Sequence, residues 1–69
     1  MNNKFRERLV KALADKNISQ LELSKMIGMS QSVVNNWCTG KREPSLNALC
    51  AICKALGESA GFLIGTEDY

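Results

Sequence analysis

Between Ser30 and Gly40 the chain reads Ser-Gln-Ser-Val-Val-Asn-Asn-Trp-Cys-Thr-Gly, and its side chains sort by helical phase. At about 100° per residue, Gln31, Ser32, Asn35, Asn36 and Thr39 share one arc, while Val33, Val34 and Trp37 fall on the other side. The first arc is all amide and hydroxyl, carrying donors and acceptors without charge. Lys and Glu would solvate an exterior face better and favour helix more. The arc is therefore either a plain polar exterior or a surface that reads base edges. Gln and Asn can pair with N6 and N7 of adenine, and a short Ser or Thr reaches either base type or a thymine methyl. Lys41 and Arg42, the chain's only adjacent basic pair, follow directly. They are ordinary loop charges or, beside a reading helix, phosphate contacts, and the second suits their position better.

Other chemistry is poorly supplied. The chain has no His and three Cys, at positions 38, 50 and 53. An odd count argues against a disulfide framework. Cys50 and Cys53 form a C-x-x-C, but a structural zinc site needs four ligands and only Cys38 is left to add. Two thiols at this spacing fall on one side of a helix, where core filling is the expected role, with a redox or metal role as the lesser alternative. Cys38 is expected nearer the surface. No nucleophile and base pair up, no phosphate loop is present, and so short a chain has little volume for a pocket. An enzyme is not expected, nor a cofactor, a metal or a small-molecule substrate.

The chain has 69 residues with 9 basic and 7 acidic, a net charge of +2. From Met1 to Lys54 all nine basic residues stand against four acidic ones, a balance of +5, whereas Ala55 to Tyr69 carries three acidic residues and no basic one, a balance of −3. Positive charge thus travels with the candidate reading helix. The length fits one small domain, 1–69, which buries only about 60% of its unfolded surface. Self-association would add what so small a core lacks. No apolar run approaches the roughly 18 residues of a membrane span, and no charged-then-apolar leader opens the chain, so a cytoplasmic protein is expected.

The elements that must hold the reading face are marked in order. Asn2 or Asn3 can cap a first helix with Phe5, Leu9, Val10 and Leu13 inward, and Lys4, Arg6, Arg8 and Lys11 on a solvated face; Lys16 and Asn17 suit its end. Ser19-Gln20-Leu21-Glu22 is a capping box, with Ile18 and Leu23 as a hydrophobic staple. It opens a second helix whose buried stripe is Leu23, Met26 and Ile27, and Ser24 leaves room for a close crossing. Gly28 permits a tight reversal, and Ser30 caps the third helix, with Met29 and Val34 as a second staple. Two short helices so closely linked must cross steeply, a helix-turn-helix over about 19–39. Pro44 closes the basic loop. Ser45 caps a fourth helix to about Leu56, with Leu46, Leu49, Ile52, Cys53 and Leu56 inward. A short fifth helix runs from Ser59 to Ile64, weakened by Gly61 and stopped at Gly65. Phe62 and Ile64 on it offer more apolar surface than the core needs and form the candidate dimer contact. The expected fold is all-α, a compact five-helix bundle, with an acidic tail at 65–69.

Taken together, Gln20, Glu22, Leu23, Ser24, Gly28, Val34, Trp37, Gly40, the Lys41–Ser45 loop, Leu49, Ala55-Leu56-Gly57 and Leu63 resemble the Cro and lambda-type repressor family of helix-turn-helix proteins, often called the XRE family. The resemblance covers nearly the whole chain. It implies a bundle of about five helices and a dimer that sets two reading helices in successive major-groove turns of a pseudo-palindromic operator. By position, Gln31, Ser32 and Asn36 match base-contacting sites, and Asn35 joins them by helical phase. Gln20 matches a site that binds phosphate and braces the first reading residue, here Gln31. Ser19, Thr39, Lys41 and Arg42 match backbone contacts. Some members join the first and third helices by a buried charge pair; here the matching residues, Leu13 and Cys38, are both apolar. Glu58 and Gly61 also depart from the family pattern.

The resemblance implies a sequence-specific DNA-binding transcriptional regulator of phage or prophage type. The chain would be either a whole Cro-like protein or the N-terminal domain of a longer repressor. Its partner would be double-stranded operator DNA, bound as a homodimer. The alternative is a protein-binding helical module, an antitoxin or adaptor, whose docking surface would be the apolar patch around Phe62 and Ile64.

Overall fold

A computed structural model describes residues 3–67. Each helix starts and stops where local chemistry allows. Helix α1 spans Phe5–Lys16 and ends on Asn17 in the left-handed conformation. Helix α2, Gln20–Ile27, begins at Ser19 with both halves of the capping box formed: the Glu22 N–H donates to Ser19 Oγ and the Ser19 N–H to Glu22 Oε1. Helices α3, Gln31–Cys38, α4, Leu46–Leu56, and α5, Ala60–Ile64, each start with a serine hydroxyl accepting a backbone N–H from the first turn. Among the described residues there is no strand.

The core is one cluster drawn from all five helices, with Phe5, Leu9, Leu23, Val34, Ile52 and Leu63 almost wholly buried. Burying such a side chain stabilises by about 1.5–3 kcal/mol, so none of these short helices need stand alone. Helix α2 packs against α3 and α4, and α1 against α3, α4 and α5. Ser24, 3% exposed, sits within this packing, its hydroxyl donating to the Leu21 carbonyl at 2.6 Å.

Several inward positions differ from expectation. Val10 and Met26 are 45% and 52% exposed. In α1 the buried arc is set by Phe5, Leu9, Ala12 and Leu13, and Val10 lies well round from its centre; in α2 Leu23, Ser24 and Ile27 face inward and Met26 is turned away. Leu46 and Cys50 point outward from α4, where Ala48 and Ile52 take the core side. The residue before α1 is Lys4, with no side-chain cap of its own; Asn3 Oδ1 accepts the Phe5 N–H at 2.9 Å instead. Asn2 and the last two residues of the acidic tail lie outside the described residues.

Helix α5 has only five residues and is tied down from α1. Arg8, expected on a solvated face, donates to the carbonyls of Phe62 and Glu67, both at 3.0 Å, and lies 4.7 Å over the Phe62 ring. The Lys4 N–H reaches the Ile64 carbonyl. Lys16 pairs with Glu58 at 3.4 Å, which gives that acidic residue a role at the α4–α5 link.

The capping box makes α2 sensitive to acid. Hydrogen bonds from the Ser19 backbone N–H, then its hydroxyl, hold the Glu22 carboxyl below its ordinary range. Because the folded value is lowered, the stabilisation is complete above the ordinary carboxylate range and is lost as pH falls through the folded value. The urea midpoint should therefore drop between about pH 6 and pH 2, and Glu22→Gln, which accepts the same N–H without titrating, should lessen that drop.

Candidate nucleic-acid interface

Helix α3 divides as its periodicity predicts. Val34, Trp37 and Cys38 are buried, whereas Gln31, Ser32, Asn35 and Thr39 are exposed and Asn36 is half-exposed. An eight-residue helix with half its surface in the core presents the other half to solvent as one rigid strip. The strip carries three amides and two hydroxyls and no charge.

Both flanks of the strip are built by other parts of the chain. On one side Gln20, the first residue of α2, accepts a hydrogen bond from Asn35 Nδ2 at 3.2 Å. The expected brace from Gln20 to Gln31 is thus made one helical turn further on, because the crossing of α2 over α3 sets Gln20 opposite Asn35. Gln31 projects at the start of α3, beside the exposed Ser32. Ser19, exposed at the start of α2, accepts the Glu22 N–H and stands beside Gln20 on this flank.

On the other side the basic loop folds back onto the end of α3. The Asn36 carbonyl accepts the backbone N–H groups of Lys41, at 2.9 Å, and Arg42, at 3.2 Å. Thr39 Oγ1 donates to the Asn35 carbonyl at 3.0 Å, and its exposed hydroxyl must turn from this bond to donate to an outside acceptor. Gly40 is favoured by its φ of 80°, and the Arg6 side chain packs close beside it, with Cδ 2.9 Å from where a Cβ would stand. Arg6 therefore lies beside the end of α3 and adds a third exposed cation to Lys41 and Arg42. Among the described residues no carboxylate pairs with any of the three, and Glu43 in the same loop is engaged by Asn3 Nδ2 at 2.9 Å. Sequence reasoning placed Arg6 on a solvated face of α1. Its position beside Gly40 depends on the packing of α1 against α3, which no local spacing encodes.

The remaining candidates divide. Phe62 is only 6% exposed and is covered by Arg8, so it serves the core rather than a dimer contact, and Ile64 is half-buried. Besides scattered exposed side chains such as Val10, Leu21 and Met26, an apolar groove lies along α4 and α5, lined by Leu46, Leu49, Cys50, Cys53 and Ala60 together with Lys54, Glu58 and Ser59. Leu46 is 82% exposed. Cys38 is buried rather than near the surface, and burial pushes its thiol up, which keeps it protonated and inert. It shares the core cluster with Leu13, as an apolar replacement for a charge pair requires. Of the two thiols expected as core filler, Cys50 is exposed, whereas the half-buried Cys53 packs against the core as expected.

Comparison with known proteins gives this arrangement a context. A helix-turn-helix family model matches residues 9–63. The restriction-modification controller protein C.AhdI from Aeromonas hydrophila superposes with a TM-score of 0.81 at 30% identity, over 87% of this chain and 91% of that one. The P22 c2 repressor, solved in complex with a synthetic operator, superposes with a TM-score of 0.84 at 30% identity, over 91% and 96%. The SOS-response transcriptional repressor LexA from Eubacterium rectale gives 0.84 at 32% identity, over 94% of this chain and 67% of that one. A comparison with curated protein sequences returned no match.

The position of Arg6 has a measurable consequence for duplex binding. Arg6→Ala should weaken binding to all duplexes alike and flatten the dependence of log affinity on log salt by about 0.9, as expected for one lost phosphate contact. A salt titration of both proteins by fluorescence anisotropy checks it, and an unchanged slope would remove Arg6 from the interface.

Proposed function

We propose an operator-binding role for this chain, which belongs to the XRE-type helix-turn-helix family of DNA-binding transcriptional regulators. It acts as a repressor of phage or prophage type, binding a pseudo-palindromic operator as a homodimer in the cytoplasm and blocking the promoter by occupancy. The observation that carries this reading is the uncharged amide and hydroxyl strip of α3, exposed between Gln20 and the cations Arg6, Lys41 and Arg42.

The residues divide the work by their chemistry. Ser19, Gln20, Thr39, Lys41, Arg42 and Arg6 hold phosphates and so set the register without reading sequence. Gln31, Ser32 and Asn36 read base edges. Asn35 meets Gln20 in the free protein, and that contact holds both amides in place for their respective partners. No Arg or Lys stands on α3 to clamp guanine, so A·T pairs carry most of the preference. The P22 c2 repressor, similar over nearly its whole length, was solved on operator DNA, which supports the same use of this face.

The second copy seats on the α4–α5 groove. Leu46 is too exposed to serve the monomer's core, and with Leu49, Cys50 and Cys53 it lines an apolar groove that a two-fold-related copy covers. A homodimer built there couples two reading helices.

Three measurements test the proposal. Selection from a random duplex pool should enrich an inverted repeat with half-sites about one helical turn apart. No enrichment, with weak sequence-blind binding, would leave the strip without a reading role and favour a protein partner. On the selected site Gln31→Ala should cost about 1–3 kcal/mol and relax one position, with little change on random DNA; equal losses on both would refute base reading by Gln31. Leu46→Glu should leave the far-ultraviolet circular dichroism of the monomer unchanged and abolish dimer formation in sedimentation equilibrium, whereas a variant that dimerises as well as the parent would place the contact elsewhere.

A further inference from the structure

Cys50 and Cys53 stand three residues apart on α4, a spacing that puts two side chains on one helical face with Cβ atoms about 5–6 Å apart. Both thiols are free, and both line the apolar groove with Leu46, Leu49 and Ala60. A disulfide needs Cβ atoms about 3.5–4.5 Å apart, so closing one within α4 would distort the helix. One ion held between two sulfurs needs no such approach.

The surroundings select the kind of ion. Burial in the groove, and then the neighbouring Cys50, push the Cys53 thiol up. Cys53 therefore gives up its proton when a Lewis acid displaces it. Among the described residues no group of three His, Cys, Asp or Glu is placed to hold one ion, so within one chain the groove supplies two soft ligands, and Glu58, which also lines it, does not complete a set of three. Zinc in a structural site takes four ligands, and calcium and magnesium take oxygen. Thiolates without further donors suit a soft monovalent ion. Lys54 lines the same groove and supplies a positive charge beside the site.

We infer that Cys50 and Cys53 form a two-thiolate site for a soft monovalent cation of the Cu(I) type. On binding, two S–H bonds break, two sulfur–metal bonds form and two protons pass to solvent. No electron is transferred. The resulting bis-thiolate carries one negative charge. The site itself is independent of the operator reading. Its regulatory consequence rests on that reading, because an ion in the groove wall occupies the face on which the second copy seats and so weakens the dimer.

The test is an anaerobic titration of the reduced protein with Cu(I) in competition with a coloured Cu(I) chelator. One ion per chain is expected, with affinity reduced at least about tenfold in Cys50→Ser and in Cys53→Ser. Cys38→Ser, which alters only a buried thiol, should retain it. Binding as tight in Cys50→Ser as in the parent would overturn the inference. So would half an ion per chain surviving in Cys53→Ser, since that marks a bridge between two chains through Cys50 alone. Leu46→Glu separates the two proposals: it should still take one ion per chain whatever its oligomeric state, and loss of the ion in that variant with both thiols intact would count against a site made by one chain.

Discussion

Burial of Val34 and Trp37 under α2 is the constraint on which the molecule turns. A helix of eight residues is not stable by itself in water, so α3 exists because one side of it is in the core. That same burial decides which side is left to meet a partner. The Gly28 reversal and the two serine caps leave α2 and α3 almost no freedom in their link, and the small Ser24 lets the helices approach closely. A uniform polar strip on a loosely held helix would pay an ordering cost on binding; here the strip is ordered before any partner arrives.

The electrostatic frame follows from how the strip is held. Folding the basic loop back onto the Asn36 carbonyl places Lys41 and Arg42 at the end of α3, and Arg6 of α1 joins them beside Gly40. At the opposite flank Gln20 meets Asn35. Cations at one end of α3 and the Gln20–Asn35 amide pair on its other flank thus border its uncharged strip. The mild net charge of the chain conceals this local concentration, because three acidic residues and no basic one fall between Ala55 and Tyr69.

The far side of the bundle is organised by scarcity. A chain of 69 residues cannot bury all its apolar surface, and α5 is too short to hold itself in place. Arg8 ties it to α1 through two backbone carbonyls and the face of Phe62, which draws Phe62 inward and leaves the surplus apolar surface on α4 instead. Leu46, Cys50 and the half-buried Leu49 and Cys53 therefore form the uncovered groove. The placement of Cys50 follows from the same displacement: a thiol whose spacing reads as core filler is turned outward once Ala48 and Ile52 occupy the inner arc.

The sequence by itself determined what is local. Capping residues, glycine stops and the 3.6-residue period located all five helices to within a residue or so, and the division of α3 into an apolar and a polar arc was legible because both faces lie within one short stretch. The family resemblance was legible for the same reason, since its marks are turns, caps and core positions close together in the chain. What only the tertiary structure decided are the meetings of residues far apart: Arg6 beside Gly40, Gln20 with Asn35 rather than Gln31, Arg8 on Phe62, and the outward turn of Cys50 and Leu46. Periodicity states which residues share a face, but which neighbour covers that face depends on the crossing of helices, and that is set by the packing of the whole core.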